Sequence, residues 1–276
     1  MLNKLFYKSL MILMIFISIN TLTFSKEVTI SKDVSGFSSL LINSSGTVYL
    51  RQGNKDSVKI IIEKNLIPYL DVDNSSHELS LSIEKNRPEA SQVKYYITMK
   101  EIKNLKSVNS GKIMILTPLR TKQLTLAVEN SGLIDIDKVY NTGVTNLLLK
   151  NSGTININDL TSIDSNLEVK NSGQININNL NSEKIQSTIS NSGQININSG
   201  KNDFQNVQIN NSGNYQSEGM ISKKGNLVIE NSGNIHAQIK KKVNIDISGS
   251  GNVILKGKPK VKRLNSNKTG MVQFID

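Results

Sequence analysis

Along most of this chain, hydrophobic and polar residues alternate with a period of two. The pattern is plainest in "KNSGTININ" (Lys150–Asn158), "KNSGQININ" (Lys170–Asn178) and "SNSGQININ" (Ser190–Asn198). Two residues after the glycine of each N-S-G unit stand Ile113, Ile134, Ile155, Ile175, Ile195, Tyr215, Ile235 and Val253. Four after it stand Ile115, Ile136, Ile157, Ile177, Ile197, Ser217, Ala237 and Leu255. Ahead of the unit a second alternating pair recurs, as in Leu126/Val128, Leu167/Val169 and Leu227/Ile229. β-Branched residues alternating with polar ones predict half-buried strands. A helix is excluded because Gly and Asn interrupt every window of helical length.

The alternation sits inside a longer repeat. The glycines Gly111, Gly132, Gly153, Gly173, Gly193, Gly213, Gly233 and Gly251 are spaced by 21, 21, 20, 20, 20, 20 and 18 residues. Each unit reads as strand, N-S-G turn, strand and a looser return of about ten residues. Such a unit cannot close a core alone, but stacked units can, each strand pairing in parallel with its copy about 4.8 Å away. The expected fold is all-β: a single-chain parallel β-helix with coils of about 20 residues and N-S-G turns. Coils of this length without a hexapeptide repeat point to a right-handed course. At the turns, glycine is expected to supply positive φ, with Asn tolerating the left-handed region. Asn109, Asn130, Asn151, Asn171, Asn191, Asn211 and Asn231 should then stack into a hydrogen-bonded row, with Ser110 and its copies beside it. Gly249 and Gly251 close the series in "SGSG". "NSSGTVYL" (Asn43–Leu50) looks like a stray copy.

Residues 105–255 carry the regular repeats. Residues 27–104 hold less regular strands ("EVTI", "TVYL", "SVKIIIE", "ELSLSIE", "KYYITM") that are expected to cap one end. The basic segment 256–276, with Pro259, is expected to blunt the strand edges at the other.

The polar positions after each turn also align. Three after the glycine come Asp135, Asn156, Asn176, Asn196, Gln216 and His236; five after it come Asp137, Asn158, Asn178, Asn198, Glu218 and Gln238. Both rows should share the outer face of one sheet, a flat amide-rich strip. Asn156, Asn158, Asn176, Asn178, Asn196 and Asn198 are its candidate binding residues. Arrayed amides suit sugar hydroxyls; Asn is also a common uncharged filler. Sugar sites usually add a stacking aromatic, and Tyr215 is the nearest in sequence.

The first 25 residues read as a secretory signal peptide, leaving residues 26–276 as one mature domain. Lys4 and Lys8 precede an apolar run, Leu10–Ile19, and Thr23-Phe24-Ser25 supplies small residues before Lys26. The run is too short for an ordinary membrane span. No later segment is apolar enough to span, so the expected location is periplasmic, cell-surface or secreted. There is no cysteine, so neither disulfides nor a cysteine lipid anchor is available. The net charge of +11 falls to +9 once Lys4 and Lys8 leave with the leader. Much of it gathers in Lys240-Lys241-Lys242 and in Lys256, Lys258, Lys260, Lys262, Arg263 and Lys268. Such blocks suit anionic polymers such as lipopolysaccharide or acidic glycans. Nucleic acid is disfavoured, since the chain is exported and has no recognition motif.

Three stretches carry a family resemblance. The early part reads "GFSSLLINSSGTVYLRQGNKDSVKIIIEKNLIPYLDVDNSSHELSLSIEK", the middle is a ladder of "NSG-x-I" units, and the close is "ISGSGNVILKGKPKV". Together, over roughly residues 27 to 264, they resemble the auto-transporter adhesin, head GIN domain family. The resemblance implies a parallel β-helix shaped like the pectin lyases, a role in cell adhesion, no catalytic residues and no cofactor, with trimeric adhesin heads as relatives. Most members use G-S-G turns, whereas this chain uses N-S-G.

Enzyme chemistry on this fold would need clustered carboxylates, or a base beside an Arg or a metal. Asp135 and Asp137 share a strand face, which reads as a weak calcium or catalytic site or, since calcium needs many more ligands, as a solvated strand face. Glu129 and Glu230 lie five coils apart, roughly 24 Å, which excludes an acid/base pair. His77 and His236 have no metal-ligand partner at useful spacing. The leading reading is therefore a non-catalytic adhesion or envelope protein. The alternatives are a polysaccharide-acting enzyme and, further off, a curli-like amyloid subunit.

Overall fold

The computed structural model describes residues 26–84, 86, 93–267 and 269–276. The expected leader and Lys268 lie outside the described residues. The chain forms a β-solenoid of about 9 turns with coils about 20 residues apart. Its first strands are β1 (Glu27–Lys32), β2 (Ser39–Asn43), β3 (Thr47–Gln52), β4 (Ser57–Glu63), β5 (Leu70–Ser75), β6 (Glu78–Ile83) and β7 (Lys94–Met99). The next are β8 (Asn104–Asn109), β9 (Lys112–Ile115), β10 (Leu119–Thr121), β11 (Leu124–Asn130), β12 (Leu133–Asn141) and β13 (Val144–Asn151). Then come the long strands β14 (Thr154–Lys170), β15 (Gln174–Ser190), β16 (Gln194–Asn211), β17 (Asn214–Asn231) and β18 (Asn234–Ile247). The last are β19 (Asn252–Lys256), β20 (Lys260–Ser266) and β21 (Met271–Ile275). No helix among the described residues is long and apolar enough to cross a membrane.

From β8 onward the coils stack in chain order and in parallel, in register except for slips in the β17–β18 and β18–β20 pairings. Ile155, Ile175, Ile195, Tyr215, Ile235 and Val253 form one column, all essentially buried. The loose return expected between strands is absent. β14 pairs with β15 along its length and skips only Asn158 and Ile163, where the chain bends. Nearly equal coil lengths let backbone groups of one coil meet their counterparts in the next, so the return is strand as well.

The corner chemistry differs from expectation. Asn109, Asn130, Asn151, Asn171, Asn191, Asn211 and Asn231 hold positive φ, from 65° to 77°, and the glycines of the N-S-G units do not. Glycine is needed for space. A Cβ on Gly153, Gly193 or Gly213 would overlap the inward side chain of Val128, Val169 or Ile189 from the preceding coil. In the last corner Gly249 takes the Asn position, and there a Cβ would meet the backbone of Asn231.

The expected asparagine row exists. The Nδ2 of Asn130, Asn151, Asn171, Asn191, Asn211 and Asn231 each donates to the Oδ1 of the preceding Asn, at 2.8–3.2 Å. Beside it, the backbone N–H groups of Ser131, Ser152, Ser172, Ser212 and Ser232 donate to the preceding Asn carbonyls at 2.9–3.1 Å.

The first coils are stacked out of chain order. β2 lies between β6 and β8, and β3 between β7 and β9. The supposed stray copy is therefore a stacked corner of the solenoid, and Asn43 begins the ladder, accepting from Asn109 Nδ2 at 2.7 Å. Beyond β6 and β7 the sheet turns antiparallel through β5, β4 and β1, which close this end. Leu66, from the 3-10 turn Lys64–Tyr69, is fully buried in the core cluster. At the other end β20 is exposed throughout and carries Lys260, Lys262 and Arg263. Its pairing slips after Val243, so that Lys262 is the extra residue. Charge and a bulge are two means of blunting a free strand edge.

The corner predicts a contrast between neighbours. Gly193→Ala should cost about 1–3 kcal/mol through overpacking. Ser192→Ala, at an exposed position, should stay within about 0.5 kcal/mol. Melting followed by circular dichroism would check this; equal melting temperatures would refute the close-approach account.

Candidate functional site

The two outer rows meet in an open trough of about 650 Å³, lined chiefly by Asp135, Asp137, Asn156, Asn158, Asn176, Asn178, Asn196 and Asn198. The strip is bent, not flat. Asn158, Asn178 and Asn198 stand exposed at the bend that the pairing register skips, while Asn156, Asn176 and Asn196 are half-buried on the strand. Within the inner row, Asn176 donates to Asn156 and Asn196 to Asn176, both at 2.9 Å. Within the outer row, Asn178 donates to Asn158 at 3.1 Å and Asn198 to Asn178 at 3.3 Å. A carboxamide has two N–H donors and two lone pairs. Ladder bonding uses one of each at an interior position, so a second donor and acceptor stay available at every coil.

The acids at one end belong to the ladders. Asn156 donates to Asp135 Oδ2 at 3.4 Å and Asn158 to Asp137 Oδ1 at 3.0 Å. At the other end His236 Nδ1 lies 2.8 Å from Glu218 Oε1. Gln238 departs from its expected outward place. It is buried, with its carboxamide placed to donate to the Glu218 carbonyl at 3.2 Å and accept from Lys240 Nζ at 2.9 Å. A slip in the β17–β18 register after Ser217 explains the move. Glu129 pairs with Lys106 at 3.0 Å. Among the described residues, no group of three or more His, Cys, Asp or Glu is gathered closely enough to hold a metal ion.

Tyr215 cannot serve as a sugar platform. It is fully buried, and its hydroxyl donates to the buried Gln205 Oε1 at 3.1 Å. Burial pushes its hydroxyl up to about 12 from the usual 10.0.

Aromatic surface lies elsewhere. Tyr96, Tyr49, Met114, Asp135, Asn156, Asn176, Asn196, Gln216 and His236 occupy successive positions of one outward column. The Tyr49 and Tyr96 rings stack with centroids 5.1 Å apart, and Tyr96 is 40% exposed. The sequence did hold a signal for Tyr49, which stands three after Gly46, the outward position of every other coil. Asp56 is a second residue that sequence reasoning passed over. Its buried carboxylate accepts the backbone N–H of Gly36 at 2.9 Å and of Lys100 at 2.8 Å, tying two loops together.

A family model described as "Putative auto-transporter adhesin, head GIN domain" matches residues 36–259. Among solved structures, a "putative adhesin" from Parabacteroides merdae is 18% identical, with a TM-score of 0.69 over 91% of this chain and 97% of that one. A "putative adhesin" from Parabacteroides distasonis is 17% identical, with a TM-score of 0.69 over 91% and 98%. A protein from the same organism described as a "putative lipid binding protein" is also 17% identical, with a TM-score of 0.64 over 91% and 97%. At these identities the likeness establishes the fold. Comparison with curated proteins gave no match.

The buried phenol makes stability depend on alkaline pH. Its folded value lies above its unfolded one, so the stabilisation is complete below pH 10 and is lost as pH rises toward 12. The loss should reach about 3 kcal/mol. Tyr215→Phe should flatten this part of the stability curve; an unchanged curve would show that Tyr215 is not protected.

Proposed function

This chain belongs to the family described as "Putative auto-transporter adhesin, head GIN domain", and from that membership we propose that it is an exported, non-catalytic adhesion protein whose amide trough is its contact face. The carrying observation is the trough itself. Its six asparagines lie on strands, held by a rigid stack, and two carboxylates at its edge are engaged by amides. A fixed array of unspent donors and acceptors recognises a surface at little ordering cost, because its own side chains are already held. Nothing in it resembles an activated base or nucleophile. Lys4, Lys8 and the apolar run after them support export to the periplasm, the cell surface or the medium.

One observation favours a second contact surface. Lys242 and Lys260 are in-register neighbours on adjacent parallel strands, an arrangement of like charges that costs stability. Lys240, Lys241, Lys258, Lys262 and Arg263 are also exposed at this end. Only Lys258 and Arg263 of these have ion-pair partners among the described residues, Asp276 and Asp246. The patch suits an anionic polymer of the envelope.

Attachment of cells with and without the gene, scored together with protease accessibility on whole cells, tests adhesion. Reduced attachment on deletion and a protease-accessible protein are expected. Unchanged attachment together with a fully shielded protein would sink the reading. Binding of the purified protein to lipopolysaccharide should weaken steeply with salt and fall in Lys242→Glu/Lys260→Glu; salt-insensitive binding would remove the basic patch from the account.

A further inference from the structure

We propose that the outward column from Tyr96 to Gln216 is a binding site for a neutral, linear 1,4-linked glycan, lying along the solenoid axis with about one sugar ring per coil. The inference rests on the adhesion reading and names its ligand class. Three observations carry it.

The first is period. Parallel pairing repeats the column about every 4.8 Å, close to the advance of one 1,4-linked pyranose ring. An extended peptide advances about 3.3 Å per residue, and like-facing groups recur at twice that, so it falls out of step within two coils. The second is chemistry. Asn156, Asn176 and Asn196 bond one another in a single direction, leaving a donor and an acceptor per coil. Sugar hydroxyls both donate and accept, so each ring can answer such a pair. No charge interrupts these three positions. Asp135 lies within the column, between Met114 and Asn156, and with nearby Asp137 would repel a polymer carrying carboxylates or sulfates. The third is the aromatic end. Tyr49 and Tyr96 continue the same column beyond Met114 and are fixed against each other by stacking. The exposed part of Tyr96 offers apolar surface for the C–H face of a sugar, and the amides from Asn156 onward, four strand positions along the column, offer polar partners to later rings.

The site exists only because β3 is inserted between β7 and β9. That insertion brings Tyr49, three residues past Gly46, into line with asparagines more than a hundred residues later.

Calorimetry and amide NMR on the purified full chain would test this with β-1,4-linked gluco-oligosaccharides of two to eight rings. Affinity should rise with length as successive coils are engaged, and Asn side-chain amide signals should shift. Tyr96→Ala and Asn176→Asp should each weaken the longest ligand about tenfold, the loss of one stacking or amide contact. Unchanged circular dichroism melts would show that both variants fold. A uronic-acid polymer of equal length should bind less well than the neutral one. No saturable binding to any neutral glycan, or binding that both variants leave unchanged, would overturn the assignment. If cells still attach through the protein in that case, the adhesion reading survives without this ligand.

Discussion

Everything in this molecule depends on the close approach at the N-S-G corner. Each coil must turn sharply while its inward residues pack on those of the coil before. Asn171 takes the left-handed backbone that the bend needs, and its side chain bonds to Asn151. Gly173, two residues on, leaves room for the Leu149 side chain from the coil below. Left-handed backbone costs an ordinary residue about 1–2 kcal/mol, and Asn is among the few that visit it readily. The ladder supplies a further hydrogen bond, typically worth about 1 kcal/mol net, at each step. The corner thus sets a nearly constant coil length, and constant length permits continuous pairing.

Pairing in register has a consequence for the surface. When every coil repeats, outward side chains repeat too, and like residues come to lie about 4.8 Å apart. Charged repeats would then stack like on like. Over coils β14 to β16 the outer rows are filled with asparagine, which tolerates such stacking because each amide is donor to one neighbour and acceptor from the next. The basic end shows the opposite case, with Lys242 beside Lys260. A regular, amide-rich trough with two carboxylates at one edge and a crowded cationic end are two different surfaces of one solenoid.

The interior varies more freely than the corner. Tyr215 stands where neighbouring coils have isoleucine, and its hydroxyl and that of Ser217 both donate to Gln205 Oε1. This polar cluster lies inside the solenoid, so it alters the pH response of the stack and leaves the outer face as it was.

Much of this was legible in the sequence. Period-two alternation, the spacing near twenty and the N-S-G signature determined a stacked parallel β-helix, because local chain chemistry fixes strand, corner and coil length. They also determined that Asn156, Asn158, Asn176, Asn178, Asn196 and Asn198 face outward, since inside and outside simply alternate. What they could not determine was which coils are neighbours when chain order and stacking order part. Only the tertiary structure placed β2 and β3 between later coils, turned "NSSGTVYL" from a stray copy into the first rung of the ladder, and set Tyr49 and Tyr96 in line with the asparagines. It also decided that glycine serves space and asparagine serves φ, and that Gln205 is the partner of the inward Tyr215 hydroxyl. Each of these depends on contact between residues far apart in the chain, where steric fit between coils decides and local pattern carries no record of the partner.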